Sequence, residues 1–297
     1  MKLSNRIKLS NRIKLYIYIS LLIFLLFIII ATIHLSYSYY SPYKQKYDNY
    51  INNGINKLIQ LTLNSEREQL RYEKNIVPKI VHKIAPKDKE KWRPIWVTSH
   101  DAWIAHFSEP EYKIMMWNDD DIYYFIKNKF PWFYQTFCEY PHNIQRFDIV
   151  RYFILYEYGG IYADMDYECF QNFYDLIPND QISIVENGYR NTTGLENSLM
   201  ISPPKQMFWI DVVKLAIKKA TKLQCILNNI GCISNLLYIL HSTGPLLINN
   251  IYKKQYKNKI HVLNKDLYNG YHIHNKRSSN IIGLHHWTGK KTWIKSL

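Results

Sequence analysis

Glycine is scarce in this sequence of 297 residues, and cysteines are few and scattered. Its 10 glycines stand beside 26 tyrosines and 8 tryptophans, a composition that argues against a low-complexity disordered chain. The four cysteines form no CxxC pair, so they do not indicate a zinc site. We expect core packing rather than disulfides for Cys138, Cys169, Cys225 and Cys232.

The middle of the chain lacks an excess of charge of either sign, although the net charge of the whole is +14. Residues 1–14 carry five basic residues and no acid, and residues 253–297 carry ten basic residues against one acid. Between residues 15 and 252, 23 basic and 23 acidic residues balance. A nucleic-acid binder needs a basic stripe on its domain, so we expect no nucleic-acid partner.

Residues 15–35 contain no Asp, Glu, Lys or Arg. An apolar run of about 20 residues can cross a bilayer as a helix, and it exceeds the ~7–15-residue core of a cleaved signal peptide. Basic residues cluster before it and predict a cytosolic N-terminus. We therefore expect a type II membrane protein with a single-pass anchor, whose larger part is lumenal or lies in a virus-associated membrane.

The chain after this run divides into a polar stretch and a patterned domain. We expect residues 1–14 to be a cytosolic tail, 15–35 the anchor, 36–75 a stem and 76–297 a folded domain. Within that domain, strand and helix patterns alternate, and the rhythm favours an α/β fold with a mostly parallel mixed sheet covered by helices. The predicted strands lie at 79–85, 112–117, 161–166 and 182–187, and the predicted helices at 94–107, 119–129, 143–158 and 205–223. We expect Asn118 and the acids after it to cap the helix at 119–129, and Gly159 and Gly160 to end the helix at 143–158.

Two acidic residues, Asp164 and Asp166, close the predicted strand at 161–166. Open α/β sheets bind ligands beyond the carboxyl ends of their strands, but a solvated turn would place two acids there equally well. Alternate residues of a strand point to the same side, so the carboxylates would repel each other unless a cation or proton lay between them. Mg²⁺ and Mn²⁺ favour such oxygen ligands and share them with substrate phosphates.

Asp148 and Arg151 stand three apart in the predicted helix at 143–158 and therefore lie on one face. An ion pair within a helix is the simplest explanation for them. However, the neighbouring positions Phe147, Val150 and Phe153 are apolar, which indicates an enclosed face. A buried pair contributes little stability by itself, so we expect it to hold a ligand.

The segment DIVRYFILYEYGGIYADMD, residues 148–166, resembles the signature of glycosyltransferase family 32, and it is matched without a gap. This family includes the yeast-type initiating α-1,6-mannosyltransferases, and the segment is also similar to the glucosylating domain of clostridial toxins. VPKIVHKI, NSLMISPPKQMFW and HHWTGKKTW resemble further blocks of the family. The resemblance covers about residues 76–297, and 148–166 is its specific part.

The resemblance implies a GT-A type domain that binds a nucleotide sugar and uses a divalent metal, Mn²⁺ or Mg²⁺. It implies that Asp166 is the main metal ligand and that Asp164 contacts the metal and the ribose. A C-terminal histidine would complete the metal shell, and His286 is favoured over His285.

The same resemblance implies roles around the donor, a UDP- or GDP-linked sugar. Asp148 and Arg151 would hold hydroxyls of the sugar, Asn197 would approach the reacting carbon, and Tyr162 would pack beside the nucleotide. The closing block would meet the diphosphate through Lys290, Thr292 and Trp293. The chain departs from the family at Ala85, where the family has tryptophan, and at Lys290 and Lys291, which are additional.

The resemblance also implies that the anomeric configuration is retained. Together these features predict a retaining hexosyltransferase that acts on a glycan, glycolipid or glycoprotein acceptor. Same-face attack is favoured over a covalent intermediate, because the motif offers no obvious nucleophilic carboxylate. Two alternatives stay open. A DxD phosphatase forms an aspartyl-phosphate, but it needs Thr or Val where this chain has Glu168. A membrane-tethered glycan-binding module would bind sugar without metal or nucleotide.

Overall fold

The structure is a computed structural model that describes residues 18–32, 75–187, 194–230, 235–270 and 280–288, and the isolated positions 54 and 56. By its internal contacts the chain divides into two units, residues 1–54 and 55–297. In the first unit, residues 18–32 form helix α1. Most of the expected stem, 36–75, lies outside the described residues.

Helix α1 falls inside the run at 15–35 for which the sequence predicts a membrane anchor. Its side chains are exposed almost throughout, from Tyr18 at 71% to Ile30 at 56%. Among the described residues, no helix combines the length and the apolar character needed to cross a bilayer. The anchor therefore stays a prediction.

The second unit is built on a six-stranded mixed sheet with the order β2-β1-β3-β6-β5-β7. Strands β1–β2, β1–β3 and β5–β7 pair in parallel, whereas β6 runs antiparallel to both β3 and β5. A separate two-stranded sheet pairs β4 with β8. The strands are β1 Ile80–Ile84, β2 Lys113–Trp117, β3 Gly160–Ala163, β4 Tyr167–Cys169, β5 Ile182–Glu186, β6 Leu195–Ser202, β7 Ile260–Leu263 and β8 Gly283–His285.

Helices connect these strands. Those predicted at 94–107, 119–129 and 143–158 are confirmed to within about one residue, and the one predicted at 205–223 is confirmed but continues to Ile230. Asn118 caps α3 through a reciprocal hydrogen-bonded box with Asp121, as expected from the acidic run that follows it. The helices are α2 Pro94–His106, α3 Asp119–Lys129, α4 Pro131–Glu139, α5 Asn143–Tyr158, α6 Met207–Ile230, α7 Asn235–Ser242, α8 Pro245–Ile251 and α9 Lys265–Tyr268. A π-helical turn, Tyr252–Tyr256, extends α8.

Two glycines join α5 to β3 and let the backbones approach closely. Gly159 has φ +65° and Gly160 has φ +90°, conformations that side-chain-bearing residues rarely adopt. A Cβ on Gly160 would lie 2.5 Å from the carbonyl oxygen of Ile80. The glycine pair therefore ends the helix, as predicted, and also allows β3 to lie directly against β1.

The central strands are covered on both faces. On one face, Val81 and Ile161 belong to a buried cluster with Trp103 of α2 and with Phe107, which caps the end of that helix. On the other, His82 lies beside the rings of Trp117 and Tyr158. This layering holds the carboxyl ends of β1 and β3, which pair in parallel, at the same edge of the sheet.

Candidate active site

The two acids lie in a tight turn between β3 and β4, not on a strand. β3 ends at Ala163, and the turn is closed by a 3.0 Å hydrogen bond from the Tyr167 amide to the Asp164 carbonyl oxygen. Strand alternation is therefore the wrong reason for expecting the two carboxylates to face one way. The turn brings them together, since it reverses the chain within three residues.

Asp164 and Asp166 share their site with His285, the last residue of β8. Each of the three offers a ligand atom, and these atoms lie within 4.8 Å of one another. His285 Nε2 lies 3.2 Å from Asp166 Oδ1 and 4.0 Å from Asp164 Oδ2. His286, which the resemblance favours, instead contacts Glu168, with 2.8 Å between Nε2 and Oε2. The geometry thus assembles the group around His285 and not around His286.

Each aspartate engages the protein through one oxygen and directs the other at His285. Asp164 Oδ1 accepts hydrogen bonds from Arg151 Nη1 at 3.0 Å and from the Tyr162 hydroxyl at 2.9 Å. Asp166 Oδ2 accepts from the amide and the hydroxyl of Thr288. Donor atoms bound at ~2.1 Å to one ion lie ~3–4 Å apart, so two carboxylate oxygens and an imidazole nitrogen at these separations fit a divalent cation.

The electrostatics of the group also favour a cation. Burial opposes the ionisation of Asp166, yet His285 and the hydrogen bonds from Thr288 outweigh it and lower the pKa of that carboxyl. Burial raises the pKa of Asp164, although Arg151 and His285 act against the rise. Burial likewise opposes a charge on His285, but Glu196 and Asp166 raise the pKa of its imidazole well above the ordinary value. The surrounding carboxylates therefore favour positive charge at this point, which is either a proton on the His285 imidazole or a cation that displaces that proton.

Arg151 links Asp148 of α5 to Asp164 of the turn. Its Nη2 lies 3.0 Å from Asp148 Oδ1, its Nη1 lies 3.0 Å from Asp164 Oδ1, and Nη1 also donates to the Asn197 carbonyl at 2.8 Å. The guanidinium lies 4.7 Å from the centre of the Tyr162 ring. The expected ion pair with Asp148 is thus present and buried, and the Arg151 guanidinium packs over the face of the Tyr162 ring.

Asn197 and Asp148 lie side by side in the wall of the same site. Asn197 Nδ2 donates to Asp148 Oδ1 at 3.0 Å and lies 3.3 Å from the Tyr152 hydroxyl. The Thr243 hydroxyl lies 3.4 Å from the other oxygen of Asp148. Burial raises the pKa of Asp148 to about 6, while Arg151 lowers it. Both side chains point into the site, as a sugar-binding role would require.

A cavity of about 640 Å³ opens over these groups. One part of its wall is polar and contains Asp148, Arg151, Asp164, Asp166 and His285. Another part is apolar and comes from α5, α7 and α8, with Ile144, Phe147, Leu236, Ile239, Leu240 and Leu246. The cavity therefore combines a charged wall with a hydrophobic one.

Several site residues were not found from the sequence. Glu196 contacts His285, and Thr288 contacts Asp166. Thr288 lies inside a block that carries the family resemblance, and Glu196 directly precedes another. Lys83 is fully buried and donates to the Asp164 carbonyl at 3.0 Å, and burial lowers its pKa to about 8. The sequence feature that could have pointed to Lys83 is a lysine within an otherwise apolar strand. The expected diphosphate contacts Lys290, Thr292 and Trp293 lie outside the described residues, as does Lys291.

Comparison with known proteins confirms the family resemblance. Residues 96–183 match the family model of the glycosyltransferase sugar-binding region containing a DXD motif. The mannosyl phosphorylinositol ceramide synthase SUR1 of Saccharomyces cerevisiae is 33% identical over 186 residues, which are 61% of this chain and 43% of that protein. The initiation-specific alpha-1,6-mannosyltransferase of the same yeast is 38% identical over 72 residues, 23% of this chain and 15% of that protein.

This chain therefore spans less than half the length of these curated relatives. Among solved structures, the match to the PaToxG glycosyltransferase covers 69% of this chain and 79% of that protein's chain, with 17% sequence identity and a TM-score of 0.44.

Proposed function

We propose that this chain, whose residues 96–183 match the DXD-containing glycosyltransferase family, is a metal-dependent glycosyltransferase with a GT-A type domain. It would transfer a hexose with retention from a nucleotide diphosphate sugar to an acceptor. The observation that carries the proposal is the group of Asp164, Asp166 and His285 in the wall of a cavity large enough for such a donor. The names of two relatives, a mannosyl phosphorylinositol ceramide synthase and an alpha-1,6-mannosyltransferase, favour mannose as the sugar.

The donor would lie with its diphosphate at the aspartates and its sugar toward α5. Held by Asp164, Asp166 and His285, Mn²⁺ or Mg²⁺ would neutralise the charge that develops on the departing diphosphate. Arg151 is already fixed by Asp148 and Asp164, so its charge needs no rearrangement to meet the sugar. Such preorganised charge is the main source of transition-state stabilisation in many enzymes.

Retention by same-face attack is supported by the state of Asp148. Its Oδ1 is engaged by Arg151 and Asn197, and its Oδ2 faces the Thr243 hydroxyl. A carboxylate compensated on both oxygens is a weak nucleophile, and a covalent glycosyl intermediate would need a stronger one. In our proposal Asp148 and Asn197 therefore position the sugar and do not attack it.

A glycolipid is the acceptor that the cavity supports best, ahead of a soluble glycan or a glycoprotein. The apolar wall from α7 and α8 suits hydrocarbon better than it suits a polar oligosaccharide. The name of one relative, a mannosyl phosphorylinositol ceramide synthase, points to the same class of acceptor. The acceptor's hydroxyl would enter between this wall and Asn197.

The test is turnover of a panel of UDP- and GDP-sugars by the purified full-length chain, with Mn²⁺ or with EDTA. We expect metal-dependent release of nucleoside diphosphate from one donor, and transfer to inositol phosphoceramide when it is added. Asp166→Asn should lower turnover at least ~100-fold, because it removes a charged group that acts in the transition state.

Asp175→Asn is the matched control, since Asp175 is exposed on a short 3-10 helix away from the cavity. It should turn over donor like the wild type. Normal turnover by Asp166→Asn would contradict the site. Sugar binding that is indifferent to nucleotide and metal would favour the glycan-binding alternative.

A further inference from the structure

Glu196 is a buried acid beside the proposed metal group, and its exposed fraction is 2%. It lies on β6 next to Asn197, and both residues line the cavity. Successive side chains of a regular strand point to opposite faces, so two neighbours sharing one site need an irregular backbone. Ile184 of β5 pairs with Met200 and Glu186 with Leu195, so β6 takes five steps where β5 takes two. This bulge aims both side chains at the site.

Both oxygens of Glu196 are occupied by the protein. Oε1 forms a short hydrogen bond with Nδ1 of His285, and Oε2 accepts from Asn269 Nδ2 at 2.7 Å. Because Nδ1 faces Glu196, the opposite ring nitrogen, Nε2, faces Asp166 Oδ1 at 3.2 Å. Asn269 in turn holds the carboxylate of Glu196. These two buried side chains therefore fix the orientation of the His285 imidazole from the side opposite the aspartates.

We propose that Glu196 is a positioning residue that holds the His285 ring with Nε2 directed at Asp164 and Asp166, ready to bind a divalent cation. The proposal rests on the metal-dependent function proposed above. Histidines that bind metals commonly donate their second ring N–H to a carboxylate, which fixes the ring and strengthens the ligand. Glu196 makes that contact here, and it is not a member of the group formed by Asp164, Asp166 and His285.

A second glutamate–histidine pair provides a matched comparison, because its histidine, His286, directly follows His285. Glu168 contacts His286 at 2.8 Å, with side chains that are 18% and 23% exposed. It is the same pair of residue types in the same two-stranded region, but His286 does not belong to the group around Asp164 and Asp166. Loss of the Glu168 contact should therefore leave cation binding unchanged.

The experiment measures Mn²⁺ affinity calorimetrically for the full-length wild type, Glu196→Gln and Glu168→Gln. We expect Glu196→Gln to bind Mn²⁺ about 10–100-fold more weakly, and Glu168→Gln to match the wild type. In turnover, Glu196→Gln should raise the Mn²⁺ concentration for half-maximal rate, while kcat at saturating Mn²⁺ stays close to that of the wild type. General damage to the fold would lower kcat as well.

Asn269→Ser supplies a second variant in case Glu196→Gln does not fold, because it keeps the carboxylate and removes only its support. It should weaken Mn²⁺ binding by a smaller factor. Unchanged Mn²⁺ affinity in the folded Glu196 variant, or equal weakening in the Glu168 variant, would overturn the inference while leaving the proposed function intact. A wild type that binds no Mn²⁺ would overturn both.

Discussion

At the scale of residues, the site combines side chains that are each held by the protein on one side and presented to the cavity on the other. Ala85 differs from the family that this chain resembles, which has tryptophan at that position. Trp96 lines the same cavity, half-buried, and the Arg93 guanidinium lies 5.0 Å from the centre of its ring. A base stacked on an aromatic side chain gains about 1–3 kcal/mol. Trp96 is therefore the residue we expect to support the base of the nucleotide.

Trp96→Ala should weaken UDP or GDP binding about tenfold, in keeping with the loss of one stacking contact. Calorimetric titration in the presence of Mn²⁺ measures this. Val97→Ala is the control, because Val97 is the next residue of α2 and is exposed outside the cavity wall. Equal nucleotide affinity in the two variants would exclude Trp96 as the stacking residue.

At the scale of elements, the junction of β1 and α5 depends on one neutral histidine. His82 is fully buried, donates from Nε2 to the Gly159 carbonyl at 3.0 Å, and accepts from Trp117 Nε1 at 3.2 Å. Burial lowers its pKa to about 4, against the opposing effect of the bond to Gly159. The glycine that ends α5 is thus tied to β1 by a side chain that must stay uncharged.

This arrangement predicts a loss of stability in mild acid. Between pH 6.5 and about 4, the unfolded chain protonates His82 while the folded chain does not, so the free energy of unfolding falls as the pH falls. The full loss is about 3 kcal/mol, measurable by urea unfolding at several pH values. His82→Gln, which keeps an N–H donor, should show a correspondingly smaller pH dependence. An identical slope in both proteins would contradict the assignment.

At the scale of the whole second unit, the site joins segments far apart in the chain. The turn at 164–166, the bulge of β6 and the end of β8 meet only because the sheet order places β3 beside β6 and because β8 pairs with β4. A cation bound at this meeting point would be held by the folded chain and not by the unfolded one. Its binding should therefore stabilise the fold.

We expect Mn²⁺ at about 100 times its dissociation constant to add about 2.7 kcal/mol to the free energy of unfolding. Thermal unfolding with and without Mn²⁺ measures the shift in Tm. His285→Ala should abolish the shift, whereas His286→Ala should retain it, because only His285 belongs to the group with the aspartates. The reverse result would return the ligand role to His286.

Much of the fold could be predicted from local pattern. Helices α2, α3, α5 and α6 and strands β1, β2, β3 and β5 lie close to where periodicity, the Asn118 cap and the Gly159 stop place them. Each of these signals is a property of neighbouring residues. The short strands β4 and β8 lack such a signal, since three residues are too few to show a period.

The sequence by itself placed Asp148, Arg151, Asp164 and Asp166 in the one segment that carries the specific family resemblance. Only the tertiary structure decided which histidine joins them and that Glu196 stands behind it. In a paired strand, a shift of one residue turns a side chain to the opposite face. The pairing of His285 with Tyr167 and the bulge of β6 are therefore what select these residues, and both depend on contacts between segments far apart in the chain.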